Sequence, residues 1–142
     1  MGAFPSTAFV TGATGLLGNH LYGQLLCGGS HVKALARFRS KAEAQFAGLP
    51  VEIVTGDMCN VSDFAQQLRG VDVLFHTAAY FRESVKGGRH RKELFRVNVE
   101  GTRDLLFHAY GAGVQRFVRQ KGWDPPVNRE RKHLRGPRKG NS

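Results

Sequence analysis

The sequence predicts an α/β protein with a doubly wound parallel sheet. Short apolar runs alternate along the chain with segments whose apolar residues repeat at helical spacing. Glycines follow several of these helical segments, where chains commonly leave a helix. A glycine-rich turn joins the first apolar run to the first helical segment, as the first turn of a β-α-β unit requires. Together these features favour parallel strands with helices on both faces of the sheet.

Five short strands are predicted, separated by helices. The strands run over Thr7–Thr11, Val32–Arg37, Val51–Thr55, Val71–His76 and Arg116–Val118. The helices run over Leu16–Leu26, Lys41–Phe46, a segment capped by Asn60 or Ser62 and ending at Leu68, and Lys92–Tyr110. Because crossovers between parallel strands are right-handed, the expected strand order is 3-2-1-4-5, a Rossmann-type sheet. Its ligand site is expected at the switch between the first and fourth strands.

The 142 residues, 41% of them hydrophobic, suffice for one domain with its own core. The alternating pattern ends at Val118, so we expect a domain over residues 1–118 and a basic, disordered tail over 119–142. Residues 1–118 carry 13 Lys/Arg against 9 Asp/Glu, whereas 119–142 carry 8 against 2. Three prolines and few large apolar residues leave the tail too little surface to bury.

The cellular compartment is expected to be the cytoplasm. No apolar run approaches the length of a membrane span, so no membrane partner is expected. Cys27 and Cys59 lack the spacing of a metal site, so no metal is expected, and both are interpreted as small buried hydrophobes in a reducing compartment.

The glycine-rich turn (residues 11–18) carries the strongest functional signal. Gly12, Gly15 and Gly18 form a GxxGxxG spacing between a strand and a helix. Glycines there allow a sharp turn, a close approach of the backbone to a pyrophosphate, and tight packing of helix on strand. The helix N-terminus then offers free N–H groups to the phosphates. We predict a dinucleotide site; the alternative is a turn without a ligand.

Residues at the ends of the second and third strands bear on cofactor choice. Arg37 stands where an NAD-specific site would place an acidic residue, and it can pair with a 2′-phosphate. NADP(H) is therefore favoured over NAD(H), the alternative being a solvated charge at a strand end. Asp57 either accepts a hydrogen bond from the adenine amino group or forms an Asx turn before a helix.

The end of the fourth strand and the long helix complete the candidate site. Small residues at Thr77, Ala78 and Ala79 would let the ribose nearer the nicotinamide approach the backbone. His76 is interpreted as structural rather than catalytic. Asn98 falls on the apolar face of the long helix and needs polar partners there. It either scaffolds the active site or ties the helix to a strand end.

The segments VTGATGLLG, GDM, VDVLFHTAA, VNVEGT and GVQRFV resemble the N-terminal half of an extended short-chain dehydrogenase/reductase. The nearest branch is the NAD(P)-dependent epimerase/dehydratase and dihydroflavonol-reductase-like group, over about residues 6–118. The resemblance implies a pyrophosphate surrounded by Gly12, Thr14, Gly15, Leu16 and Leu17. It further places Arg37 near the adenosine ribose, Asp57 and Met58 at the adenine, and Thr77, Ala78 and Ala79 at the other ribose. Asn98 matches the family's helix asparagine.

The resemblance also implies a catalytic Ser or Thr after the fifth strand and a Tyr-x-x-x-Lys on the next helix, where the lysine lowers the tyrosine pKa. None of the three tyrosines has a lysine four residues later. We therefore expect a truncated, catalytically incomplete domain without catalytic residues. Its fifth strand is expected to be an exposed edge that leaves the chain marginally stable or self-associating.

Three functions are compatible with the sequence. The first is the cofactor-binding half of an oxidoreductase or epimerase, most simply from a truncated or frameshifted gene. The second is a stand-alone NADP(H)-binding module, or one completed by a partner. The third, a nucleic-acid binder acting through the basic tail, is disfavoured because the tail has one aromatic residue and no recognisable motif.

Overall fold

The computed structural model describes residues 3–77 and 96–119. Within these ranges five strands form one sheet in the order β3-β2-β1-β4-β5, with every neighbouring pair parallel. The strands are β1 Thr7–Thr11, β2 His31–Ala36, β3 Val51–Thr55, β4 Val73–His76 and β5 Arg116–Arg119. The predicted fold class and strand order are confirmed. Arg119, the first residue of the predicted tail, is the last residue of β5, whereas residues 120–142 and the first residues of the long helix lie outside the described residues.

Three α-helices accompany the described strands. They are α1 Leu16–Cys27, α2 Arg39–Gln45 and α3 Gly101–Gly111. A wider π-helical turn, Arg96–Glu100, leads into α3. A Cβ on Gly101 would stand 2.7 Å from the carbonyl oxygen of Met58, so a glycine lets this turn pack directly on the loop after β3. In the parts of the chain described, no helix is long and apolar enough to cross a bilayer.

The helix predicted to end at Leu68 is instead a pair of 3₁₀ turns, Val61–Asp63 and Ala65–Leu68. Phe64 separates them with φ −116° and ψ 1°, outside helical geometry. Its ring stacks on Phe9 of β1, with centroids 6.0 Å apart. Val61, Phe64 and Leu68 are all buried, so the apolar spacing identified the inward residues but not the helix type. With the backbone broken at Phe64, its ring stacks on Phe9 while Val61 and Leu68 remain buried.

The sheet is buried on both faces where β1 runs through its centre. Phe9 faces the side of α3 and packs with Leu74 and Leu105. Ala8 and Val10 face the other side, with Tyr22 and Leu25 of α1 and further apolar residues. Parallel strands require such cover on both faces. Thr11, fully buried at the end of β1, is a polar residue in this apolar setting and needs hydrogen-bond partners.

β5 lies at one edge of the described sheet and pairs with β4. Arg116, Val118 and Arg119 are exposed, and Phe117 is half-buried against the core beneath α3. The fifth strand is thus an exposed edge among the described strands, as the sequence predicts. Self-association through it remains a prediction.

Candidate dinucleotide-binding site

The glycine-rich turn begins where β1 ends. Gly12 has φ +67°, the left-handed region that favours glycine. A Cβ on Gly18 would lie 2.2 Å from the carbonyl oxygen of Gly12 and 2.6 Å from the Cα of Ala13. The first turn of α1 therefore rests against the backbone of the preceding turn with no room for a side chain. Two of the three glycines are required by backbone geometry alone.

Gly15 has a different environment. Its φ of −81° and ψ of 174° are accessible to any residue, and the residue is exposed. Its N–H donates to the carbonyl oxygen of Gly12 at 3.0 Å, and α1 starts at the next residue. Gly15 immediately precedes the first residue of α1, so a side chain here would lie beside the helix N-terminus. A Cβ here would meet the Gly12 carbonyl oxygen at 3.3 Å, so the turn would accept a side chain only after a small local shift.

The N-terminus of α1 is open to an anion. Gly15 provides no side-chain oxygen to the first turn, and that turn contains no acidic residue. Thr14 and Leu17 are exposed beside it, while only the backbone of Leu16 is described. Uncapped N–H groups and the positive end of the helix dipole favour a phosphate at such a position.

Hydrogen bonds connect the end of β4 to the start of this turn. The hydroxyl of Thr77 donates to the carbonyl oxygen of Thr11 at 2.6 Å, and the Thr77 N–H approaches the same oxygen at 3.3 Å. The Nδ1 atom of His76 lies 2.7 Å from Thr11 Oγ1, and its Nε2 lies 2.9 Å from Thr102 Oγ1 in α3. His76 therefore bridges β1 and α3.

His76 is a buried, neutral imidazole. Burial lowers its pKa from 6.5 to about 4, and the charge of Arg119 adds to the lowering. The ring also lies 5.9 Å, between centroids, from that of Phe117. A neutral imidazole donates one hydrogen bond and accepts one, and the two threonine hydroxyls can supply both partners. These contacts support the predicted structural role.

Arg37 lies just beyond the carboxyl end of β2 and is exposed. Its guanidinium carbon is 5.5 Å from the ring centroid of Phe38. The neighbouring Arg39 differs, because its Nε donates to Glu43 Oε1 at 3.0 Å along α2. The charge of Arg37 is thus presented beside the carboxyl edge of the sheet, where the sequence predicts the adenosine ribose.

Asp57 forms the Asx turn that the sequence analysis left open. Its Oδ1 accepts a hydrogen bond from the Cys59 N–H at 2.9 Å. Burial raises the pKa of the Cys59 thiol and Asp57 raises it further, whereas the charges of Arg96 and Arg37 lower it. The loop after β3 thus lies within electrostatic reach of both arginines. Met58 is buried beneath α3. Cys27 is exposed and Cys59 is only partly buried, so the interpretation of both as buried hydrophobes is wrong.

The structure gathers many of the predicted residues at one edge of the sheet. The turn glycines and Thr77 lie at the carboxyl ends of β1 and β4, and Arg37 and Asp57 lie at those of β2 and β3. Ala78 and Ala79 fall outside the described residues, and Asn98 is described by its backbone alone. Among the described residues no His, Cys, Asp or Glu cluster could hold a metal ion.

Sequence reasoning missed Thr11 and Thr102. Thr11 is 65 residues from His76 in sequence and Thr102 is 26 residues from it. One signal was present, since a threonine closing an otherwise apolar central strand needs a polar partner. The identity of that partner depends on the register of β1 against β4, which pairs Thr11 with His76.

A sequence model of the 3-beta hydroxysteroid dehydrogenase/isomerase family matches residues 9–124. The chain belongs to this family. It is 46% identical over 112 residues to the sterol demethylase protein B of Methylococcus capsulatus, covering 79% of this chain and 33% of that protein. It is 39% identical over 114 residues to a 3-beta-hydroxysteroid dehydrogenase of Mycolicibacterium neoaurum, covering 77% and 30%. The chain spans about a third of the length of these curated relatives.

A solved structure supports the same family placement. It is a short-chain dehydrogenase/reductase superfamily protein of Agrobacterium tumefaciens with bound NAD, 31% identical, with a TM-score of 0.66 over 80% of this chain and 31% of that one. The predicted membership of the extended short-chain dehydrogenases/reductases is confirmed, and so is its restriction to their N-terminal part.

Proposed function

We propose that this chain binds a nicotinamide dinucleotide and is the cofactor-binding part of an NAD(P)-dependent oxidoreductase. The observation that carries the proposal is the exposed, uncapped N-terminus of α1 behind a turn whose glycines permit close backbone approach. The bound NAD of the Agrobacterium tumefaciens relative supports the class of cofactor. When bound, such a cofactor supplies or accepts a hydride.

The proposed contacts follow the carboxyl edge of the sheet. The pyrophosphate would lie over the glycine-rich turn, and the adenosine would extend across β2 and β3. The nicotinamide side would extend towards β4 and the helix carrying Asn98. The proposed contact residues are Gly12, Thr14, Gly15, Leu16, Leu17, Arg37, Asp57, Met58, Thr77, Ala78, Ala79 and Asn98.

We propose NADP(H) as the preferred cofactor. The exposed guanidinium of Arg37 stands at the end of β2, and its charge and that of Arg96 both reach the loop after β3. A cation at the end of β2 favours a 2′-phosphate on the adenosine ribose, because an arginine binds phosphate through charge-assisted hydrogen bonds. The two hydroxyls of the NAD(H) adenosine ribose carry no charge, so an arginine would stabilise them less than it stabilises a 2′-phosphate.

We further propose that the chain does not turn over substrate without the remaining two-thirds of its relatives' length. No tyrosine in the sequence is followed four residues later by lysine, the pair that would exchange a proton with the substrate. The role of the present residues is then to bind and orient the cofactor. The residues that select the substrate would then belong to the remaining two-thirds of the relatives' length.

A pair of Gly→Ala substitutions in one segment tests the cofactor site. At Gly15, immediately before α1, a Cβ would meet the Gly12 carbonyl oxygen at 3.3 Å, whereas at Gly23 within α1 it would meet nothing within 4 Å. In fluorescence titrations of NADPH and NADH, Gly15→Ala should weaken binding while the melting temperature changes little. Gly23→Ala should retain the affinity of the unmodified chain. Equal affinity in all three proteins, or no binding by the unmodified chain, would refute the proposal.

A further inference from the structure

Residues at the end of β4 make several hydrogen bonds to one residue of β1, Thr11. It is fully buried, and it immediately precedes Gly12, where the chain enters the left-handed turn. Its carbonyl oxygen accepts hydrogen bonds from the hydroxyl and N–H of Thr77, and its hydroxyl lies 2.7 Å from His76 Nδ1. Both its backbone and its side chain are therefore held by β4.

His76 extends the same connection to α3. Its Nε2 meets the hydroxyl of Thr102, which is buried in the first turn of that helix. Because the imidazole is rigid, the two hydrogen bonds fix the separation between the end of β1 and α3. The glycine-rich turn is anchored at its other end by the contact of Gly18 with the Gly12 backbone. The turn is thus held from both sides.

We infer that His76 is a positioning residue for the dinucleotide site, which it serves by holding Thr11 at the entrance to the glycine-rich turn. The inference rests on the proposed function. A turn that contacts phosphate through backbone N–H groups depends on the placement of those groups, because hydrogen bonds weaken steeply with distance and misalignment. The bond to Thr102 has a different effect: it fastens α3 to the sheet and contributes to stability.

The two threonines provide a matched pair of variants. Thr11→Val and Thr102→Val each remove one buried hydroxyl that faces His76 and keep the β-branched shape. Both should lower the free energy of unfolding. If His76 positions the turn, Thr11→Val should weaken NADPH binding by about threefold to tenfold, because the net free energy of one lost hydrogen bond is the upper limit of the loss. Thr102→Val should change the NADPH dissociation constant less than about twofold despite a similar loss of stability.

Conservative variants at His76 separate positioning from a general structural role. The amide of Asn can occupy the place of Nδ1, and that of Gln can occupy the place of Nε2. His76→Asn should therefore retain the contact with Thr11 and bind NADPH nearly as well as the unmodified chain. His76→Gln should retain the contact with Thr102 and bind about as weakly as Thr11→Val. Thr11→Ser, which keeps the hydroxyl, should restore affinity.

The outcomes distinguish this inference from the proposed function. If the unmodified chain does not bind NADPH, the proposed function fails. If it binds and its affinity follows stability alone across the variants, the positioning role is refuted while the site stands. Equal affinity of the Asn and Gln variants would also overturn the inference. Affinity that depends on the Thr11 contact at matched stability supports it.

Discussion

Acidification should destabilise the folded chain through His76. In the unfolded chain this imidazole takes up a proton near its ordinary pKa of 6.5, whereas in the fold burial lowers the pKa to about 4. The stability associated with the neutral ring is therefore fully present above pH 6.5 and is lost as the pH falls towards 4. At about 1.36 kcal/mol per pKa unit, the loss amounts to about 3 kcal/mol.

The measurement is urea unfolding of the full chain at a series of pH values from 7 to 4. Carboxylates titrate in the same range, so the comparison is with His76→Asn, which cannot take up this proton. The unmodified chain should be the more stable protein at pH 7. Its advantage over His76→Asn should shrink by about 3 kcal/mol by pH 4.

A histidine on the surface controls for the general effect of removing an imidazole. His20 is exposed on α1. The His20→Asn variant should therefore lose as much stability between pH 6.5 and 4 as the unmodified chain does. A constant difference between the unmodified chain and His76→Asn across the whole range would refute the reasoning. The same dependence on pH in all three proteins would refute it as well.

Three further predictions test other parts of the molecule. Gly18→Ala should destabilise the chain by about 1–3 kcal/mol or more, because its Cβ would meet backbone at 2.2 Å, whereas Gly23→Ala should stabilise it by up to about 1 kcal/mol in thermal unfolding. Arg37→Ala should weaken NADPH binding about tenfold or more while NADH binding changes little; Arg39→Ala, which removes the partner of Glu43 in α2, should affect neither. Val118→Lys should reduce concentration-dependent self-association in sedimentation experiments if the edge of β5 pairs between copies. An unchanged sedimentation profile would count against edge pairing.

Local patterns in the sequence were sufficient to predict the architecture. The bounds of β1 and β3 agree with the structure, β2 differs by one residue at each end, and β4 and β5 differ by two residues and one residue at one end. Alternation of apolar strands with helical spacing indicates a parallel sheet, since that arrangement buries both faces. The spacing of Gly12, Gly15 and Gly18 also indicated the turn, because its demands on the backbone are local.

Contacts between segments that are distant in sequence could not be predicted from these local patterns. The Asx turn at Asp57 is visible only in the structure, through the hydrogen bond that its Oδ1 accepts from the Cys59 N–H. Phe64, between the two 3₁₀ turns, stacks on Phe9, which is 55 positions earlier in the chain. The bridge from Thr11 through His76 to Thr102 depends on the register of β1 with β4 and on the approach of α3. Residue type and spacing specify which groups must be buried, but the partner that satisfies a buried polar group is set by how the strands and helices come together in space.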